Sequence, residues 1–239
     1  MKEGRRGKWL TYTISIIWLF SMALAGFFIP YFTDNIPFFK VKALHIEGLE
    51  TIPPDVIAEE VGKLKNNWLF INEGILLKNI NKVTGNSIHS VEVKRSFGSK
   101  GVELRIRIKE RKPIFTVLHE NNLIFFDEDG NRFLSDYRQI TNPIVYTHQI
   151  ELITNDFENM KNIIDTLGKD LREAYITNLN TIIYTKEGVK ITLPPLFLLN
   201  RELIQNVARI HMYYNIGLDV KEMEISMEGL VIIRGGKEK

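Results

Sequence analysis

Residues 102–109 read Val-Glu-Leu-Arg-Ile-Arg-Ile-Lys, and this stretch decides how the first half of the chain folds. Apolar and charged side chains alternate in it without a fault, so one face of a β-strand meets a core and the other meets water. Residues 90–94 alternate in the same way, and Gly98-Ser99-Lys100-Gly101 supplies turn residues between the two runs. The pattern predicts a β-hairpin.

The segment before this hairpin predicts one more strand and two helices. Residues 39–47 alternate imperfectly and stop at Gly48, as a strand entering a turn would. Pro53-Pro54-Asp55 places proline where a helix can begin, and a second run with helical spacing ends near Gly85. The order strand, helix, helix, strand, strand is typical of a compact α+β unit in which two helices cover one face of a small sheet.

The N-terminal region contains an uncharged run, residues 9–33, behind a mostly basic tail. Its apolar part, residues 10–32, would extend roughly 35 Å as a helix, against a hydrocarbon layer of about 30 Å. Because cationic flanks stay on the cytoplasmic side, the run predicts a single-pass type II protein of the cell (inner) membrane with an extracytoplasmic body. The residues expected to form this membrane anchor are Trp9, Leu10, Ile16, Ile17, Trp18, Phe20, Phe27, Phe28 and Tyr31.

A cleaved signal peptide is the alternative interpretation of the same run. Ala23-Leu24-Ala25 matches the A-x-A pattern of a cleavage site after a basic start and an apolar stretch. However, the apolar run continues past this site through residues 26–32, which a mature protein would have to expose or bury. The sequence therefore favours a retained anchor, and either interpretation predicts an exported body.

Composition limits what the body can do. The chain has 31 Lys and Arg and 29 Asp and Glu, and removing the tail's four basic and one acidic residues leaves 27 against 28. A nearly neutral body with mixed signs does not indicate a nucleic-acid-binding face. The absence of cysteine excludes disulfides, thiolate nucleophiles and cysteine-based metal sites.

The second half of the chain predicts a mixed, strand-rich domain. Two apolar runs flank Asp127-Glu128-Asp129-Gly130 and predict a hairpin around an acidic turn. Helical spacing predicts one helix that Thr154 or Asp156 caps and Gly168 ends, and a second helix capped by Asn200. Further strands are predicted at residues 143–146, 181–184, 189–193, 223–227 and 230–233.

This ordered set of features resembles the bacterial divisome family FtsQ/DivIB. The resemblance rests on a basic tail, a single anchor, and a domain that opens on V-K-A-L-H-I-E-G-L (residues 41–49) and closes on I-R-I-K-E-R-K-P-I (residues 106–114). Glu110-Arg111-Lys112-Pro113 is the best local match, and the acidic turn is similar to the family's D-x-x-G turn. The resemblance implies an α+β fold class: an N-terminal transmembrane helix, a POTRA domain (β-α-α-β-β) and a second mixed, strand-rich α+β domain.

The resemblance sets the expected domain boundaries, with some departures from the family pattern. The chain has Asn86-Ser87 and Phe97-Gly98 where the family commonly has proline-containing turns, and Glu224-Ile225-Ser226 where many members have Asp-Leu-Arg. The expected segments are a cytoplasmic tail (1–8), a transmembrane helix (9–33), a linker (34–39), a POTRA domain (40–112), an FtsQ-type β domain (113–234) and a C-terminal tail (235–239).

The C-terminal strands are the expected partner-binding site. A strand near a chain end can lie at a sheet edge and accept a partner strand, whereas a run that is apolar on both faces can equally be a covered central strand. The resemblance implies partners of the FtsB/FtsL coiled-coil type, together with septal cell-wall synthases. The candidate residues are Met223, Ile225, Met227, Leu230, Val231, Ile232, Ile233 and Arg234.

No catalytic motif occurs in the sequence. None of the five histidines falls into H-E-x-x-H, and G-x-S-x-G and S-x-x-K are absent. We therefore predict no enzyme, no cofactor, no metal-binding residue and no small-molecule substrate. The expected function is a membrane-anchored scaffold that recruits division proteins at the septum. The two alternatives are a POTRA-bearing factor in protein export or envelope assembly, and an exported enzyme with an unrecognised site.

Overall fold

The computed structural model describes residues 3–35, 41–64, 71–98, 101–140, 143–215 and 220–235. Side chains are described within these ranges except at residues 3–11, 29–35 and 212–215. The chain divides into two compact units. The first comprises Met1–Leu49, Pro53–Lys78 and Ser90–Lys109, and the second comprises Glu50–Ile52, Asn79–His89 and Glu110–Lys239.

The chain begins with a long helix, α1 (Glu3–Asn35). The expected anchor residues with described side chains are all exposed on it: Ile16, Ile17, Trp18, Phe20, Phe27 and Phe28. Trp9, Leu10 and Tyr31 lie outside the described side chains. Polar residues interrupt the apolar run, and one of them, Ser21, donates a hydrogen bond from its hydroxyl to the Trp18 carbonyl at 2.9 Å.

The predicted membrane-spanning helix is wrong, since none of the helices in the described residues combines the length and the hydropathy that a membrane crossing requires. The single-pass membrane localisation inferred from that helix is contradicted by the same finding. The predicted fold class, a transmembrane helix followed by a POTRA domain and a second domain, is wrong as well. The described chain is instead strand-rich, with twelve strands in two sheets.

A three-stranded sheet with the order β1-β3-β2 holds the first unit together. β1 pairs parallel with β3, and the apolar members of the alternating stretch, Val102, Leu104, Ile106 and Ile108, are all buried. Pro54 begins the first of two helices between β1 and β2, as predicted, because a proline at this position loses no helical hydrogen bond. The elements are β1 (Val41–Glu47), α2 (Pro54–Lys63), α3 (Glu73–Val83), β2 (Ile88–Gly98) and β3 (Gly101–Glu110).

The second unit is built on a nine-stranded mixed sheet with the order β12-β11-β10-β9-β8-β7-β4-β5-β6. The pairs β4–β7, β7–β8 and β10–β11 are parallel, and the other described pairs are antiparallel. The strands are β4 (Pro113–His119), β5 (Asn122–Asp127), β6 (Arg132–Phe133), β7 (Ile144–Thr147), β8 (Leu171–Ile176), β9 (Thr181–Thr185), β10 (Lys190–Leu193), β11 (Val220–Ile225) and β12 (Val231–Gly235).

Three helices accompany this sheet: α4 (Glu151–Asn155), α5 (Phe157–Leu167) and α6 (Arg201–Asn215). Gly168 follows α5 at a positive φ of 54°, which explains why this helix ends where the sequence predicted. The predicted cap of α6 is also present, because the Asn200 side-chain oxygen accepts the Leu203 N–H at 2.8 Å. Asp156 precedes α5, but its side chain makes no cap hydrogen bond.

The pairing of residues across the large sheet shows which side chains share each of its two faces. One row of paired residues joins the hydrophobic core with the helices: Val117, Val145, Ala174, Ile183, Ile191, Met223 and Ile233. Because successive side chains of a strand alternate, the next row points to the opposite side. We call that side the open face, and its row consists of Leu118, Tyr146, Tyr175, Ile182, Thr192, Glu224 and Ile232.

Candidate functional site

The C-terminal strands form one end of the nine-stranded sheet. β11 is joined to β12 by a tight turn, in which the Ser226 N–H donates to the Leu230 carbonyl at 2.9 Å. Gly229 occupies this turn at a φ of 79°, a conformation that glycine adopts without steric cost. β12 pairs with β11, and within the described residues no strand lies on its other side. β12 is therefore an edge strand rather than a covered central strand.

The structure divides the candidate partner-binding residues into two groups. Met223 and Ile225 are 1% and 5% exposed and belong to the core, and Val231 and Ile233 pack partly against it. These four side chains stabilise the sheet. By contrast, Met227, Leu230 and Ile232 are 65%, 65% and 53% exposed, and Arg234 is also exposed. The accessible candidates are thus Met227, Leu230, Ile232 and Arg234, together with the main chain of β12.

Charged side chains next to the edge are paired across neighbouring strands. Lys190 Nζ lies 2.7 Å from Glu222 Oε1, and the Arg234 guanidinium lies 3.7 Å from Glu222 and 3.5 Å from Glu224. The hydrogen bond from Lys190, followed by its charge, lowers the pKa of the Glu222 carboxyl, and the same bond raises the pKa of Lys190. These solvent-accessible pairs link β10, β11 and β12 but stabilise the fold little.

The Glu110-Arg111 motif contacts segments of the second unit that are distant in sequence. Glu110 Oε1 accepts the backbone N–H groups of Glu50, Thr51 and Ile52 at 2.8, 2.9 and 3.1 Å, and Oε2 lies 2.8 Å from Arg138 Nη2. Burial would raise the pKa of the Glu110 carboxyl, but hydrogen bonds from Thr51 and from these N–H groups outweigh it and lower the pKa. Arg138 is nearly buried as well. The motif therefore orders the segment around it and offers no surface to a partner.

His89, Asp127 and Asp129 are the residues whose arrangement comes closest to a metal site in the described chain. Each offers one ligand atom, and these atoms lie within 4.8 Å of one another. However, Asp127 Oδ1 accepts the N–H groups of Asp129 and Asn131, and Oδ2 lies 2.6 Å from Arg111 Nη1. These donors satisfy the carboxylate, and the guanidinium opposes a second cation. We interpret the cluster as the support of the acidic turn.

This cluster was not predicted from the sequence. The residues of the acidic turn and His89 are far apart along the chain, and the Asp-x-Asp-x-Asn spacing of residues 127–131 is the only signal that could have suggested it. Among the histidines, His45 and His89 are exposed, whereas His211 is buried and its Nε2 has no hydrogen-bond partner among the described residues.

Comparison with known proteins gives one relative of similar extent. The chain is 21% identical over 229 residues to an uncharacterized protein from Aquifex aeolicus (strain VF5), and the alignment covers 91% of this chain and 97% of that protein. No protein-family model matches the chain. The similarity extends over both units.

Proposed function

We propose that this chain is a non-enzymatic docking protein that captures a partner strand at the edge of β12. One observation carries the proposal: the last described strand of a nine-stranded sheet has a neighbour on one side only and exposes apolar side chains there. Alternate residues of an edge strand direct N–H and C=O groups away from the sheet, and these groups can pair with an added strand. Ile232 and Leu230 would contribute apolar contacts beside that ladder.

The charges near the edge do not cover its exposed apolar side chain. Proteins commonly protect an edge with inward-pointing charges, bulges or a covering loop. Here Arg234 is directed toward Glu222 and Glu224 of the neighbouring strand, which leaves Ile232 uncovered. The resemblance to FtsQ/DivIB suggests assembly of the bacterial division machinery as the process. It also suggests FtsB/FtsL-like coiled-coil proteins as the partner class.

We expect Ile232→Lys to abolish partner capture while the protein stays folded. The side chain is exposed, so the substitution should change the free energy of unfolding by no more than about 0.5 kcal/mol. A lysine at an edge strand disfavours pairing with another strand. Capture is measured by placing a photo-crosslinking amino acid at position 230 in the source cells and identifying the crosslinked protein by mass spectrometry. The crosslink yield should fall at least about tenfold in the variant.

Leu179→Lys is the matched control, because Leu179 is more exposed than Ile232 and lies away from β12 in the turn before β9. This variant should crosslink like the unmodified protein. If Ile232→Lys crosslinks as efficiently as Leu179→Lys, the edge of β12 is not the docking site. If the captured protein is not a coiled-coil division protein, the proposed process is refuted even though the edge binds.

A further inference from the structure

A pocket of about 390 Å³ opens in the second unit at the ends of three strands. β4, β7 and β8 are neighbouring parallel strands. Three residues of the pocket directly follow the carboxyl ends of these strands: Glu120, His148 and Thr177. In the strand order, β5 and β6 lie on one side of β4, and β7 and β8 lie on its other side. Open sheets bind ligands at such a switch point, outside the carboxyl ends of parallel strands.

Two tyrosines form the base of the pocket. Tyr146 and Tyr175 are neighbours in the open-face row, and their rings stack with centroids 4.6 Å apart. The edge of Tyr184 meets Tyr175 at 5.7 Å from the β9 side. Tyr175 is thus held between two rings, whereas the other face of Tyr146 lies toward β4, where Leu118 lines the pocket. Leu118 and the accessible parts of the two tyrosine rings therefore line the base of the pocket.

Polar side chains form the rim. Glu120 and His148 directly follow β4 and β7 and line the pocket together with Leu118 and Tyr146. Asn121 lies beside them in the turn between β4 and β5. Among the described residues, the side chains of Glu120, Asn121 and His148 have no hydrogen-bond or ion-pair partner. Desolvation and the charge of Glu173 raise the pKa of Tyr175, so its hydroxyl stays protonated and can donate a hydrogen bond.

The turn that carries two of these rim groups is strained. Glu120 has a φ of 48° and Asn121 a φ of 65°, both in the left-handed region. Asparagine tolerates this conformation, but a glutamate there costs about 1–2 kcal/mol, and glycine would avoid the cost. The chain therefore retains a carboxylate at a position where it destabilises the fold. Such strain is typical of residues that serve a ligand.

We infer that this pocket binds an uncharged sugar, with a pyranose ring against the aromatic base of Tyr146 and Tyr175 and its hydroxyls on Glu120, Asn121 and His148. The C–H groups on one side of a sugar ring carry partial positive charge and match the negative face of an aromatic ring. A sugar hydroxyl can both donate and accept a hydrogen bond. It can therefore pair with a carboxylate, which only accepts, and with an amide or imidazole, which can do either. No Lys or Arg lines the pocket, which argues against a phosphate or nucleotide. The volume lies within the range of small-molecule sites, about 300–1,000 Å³.

The test uses saturation-transfer difference NMR on the full chain. The probes are glucose, N-acetylglucosamine and their β1,4-linked disaccharides, with tetramethylammonium and inorganic phosphate as the charged alternatives. We expect signals from the ring C–H protons of at least one sugar. Tyr146→Leu should abolish them, and Glu120→Gln should weaken affinity about tenfold, as the loss of a charged hydrogen bond predicts. The matched controls Tyr137→Leu and Glu202→Gln, at exposed sites away from the pocket, should bind like the unmodified protein.

Glu120→Gly separates a binding role from a role in the turn. Glycine adopts the positive φ freely, so the melting temperature should be equal to or higher than that of the unmodified protein while sugar binding falls. Sugar binding that is undiminished in Glu120→Gly, or that is still detected in Tyr146→Leu, would overturn the inference. Saturation transfer to tetramethylammonium or phosphate, with none to the four sugars, would also overturn it. Neither result bears on strand capture at β12, which is measured by crosslinking.

Discussion

Glu110→Ala is expected to lower the free energy of unfolding of the second unit by about 3–5 kcal/mol. The substitution leaves the Arg138 guanidinium without its carboxylate in a nearly buried position, and it removes the acceptor of three successive N–H groups at residues 50–52. Unpaired buried donors and an uncompensated buried charge are among the costliest changes in a fold. The loss is measured by hydrogen exchange at Ile183 in the core of that unit, because the two units need not unfold together.

Glu228→Ala is the control, since Glu228 lies in the same unit but is exposed. It should change the free energy of unfolding by less than about 0.5 kcal/mol. The double variant Glu110→Ala with Arg138→Ala should be less destabilised than the sum of the two single variants, because each single change leaves one buried charge unpaired. Strict additivity would show that the two groups do not interact.

The same carboxylate is expected to make stability depend on pH. Hydrogen bonds lower the pKa of Glu110 in the folded chain below the ordinary value of 4.5. A lowered pKa means that the Glu110 carboxyl binds its proton more tightly in the unfolded chain than in the folded chain. The contribution is therefore fully present above pH 4.5 and is lost as the pH falls below it, through the lowered pKa. The stability difference between the unmodified protein and Glu110→Gln should shrink over that range, and a difference that does not change with pH would contradict the assignment.

Local patterns predicted most of the strands and helices, because those patterns report on nearest neighbours along the chain. The strands β4 and β8 and the short helix α4 were not predicted. The alternation at residues 102–109 required one buried face, and the structure buries Val102, Leu104, Ile106 and Ile108. The hydrogen bonds of Glu110 could not be predicted in the same way. Its partners at residues 50–52 and at Arg138 are distant in sequence, and a single glutamate at the end of a strand does not indicate which residues it will contact.

The incorrect predictions from the sequence have a common physical origin. A run of apolar residues indicates burial or contact with a neighbour, but it does not indicate which neighbour. Residues 9–33 were interpreted as a membrane span, which the structure contradicts. Residues 230–233 suggested a covered strand as readily as an edge, and the sheet order resolves them as an edge. Tyr146 and Tyr175 carried no signal at all, since only the pairing of β7 with β8 brings their rings together.

Gly48→Ala is expected to destabilise the first unit by about 2–5 kcal/mol. Gly48 directly follows β1 at a φ of 87°, and a Cβ at this residue would lie 2.2 Å from the Ile108 carbonyl oxygen. The left-handed conformation costs an L-residue about 1–2 kcal/mol, and forcing the backbone of β3 aside adds about 1–3 kcal/mol. Hydrogen exchange at Leu104, which is buried in the same unit, reports the change.

Two other glycines separate the causes of this effect. Gly188 has a φ of 86°, and the position that a Cβ would take there has no atom within 4 Å, so Gly188→Ala should cost about 1–2 kcal/mol from conformation alone. Gly62 lies in α2 at a negative φ with the same open space, and Gly62→Ala should stabilise the helix by about 0.5–1 kcal/mol. The excess loss in Gly48→Ala over Gly188→Ala then measures the close approach of β1 to β3. Equal losses would show that Gly48 is required only for its backbone conformation, and that the parallel pairing of these strands tolerates a side chain at this turn.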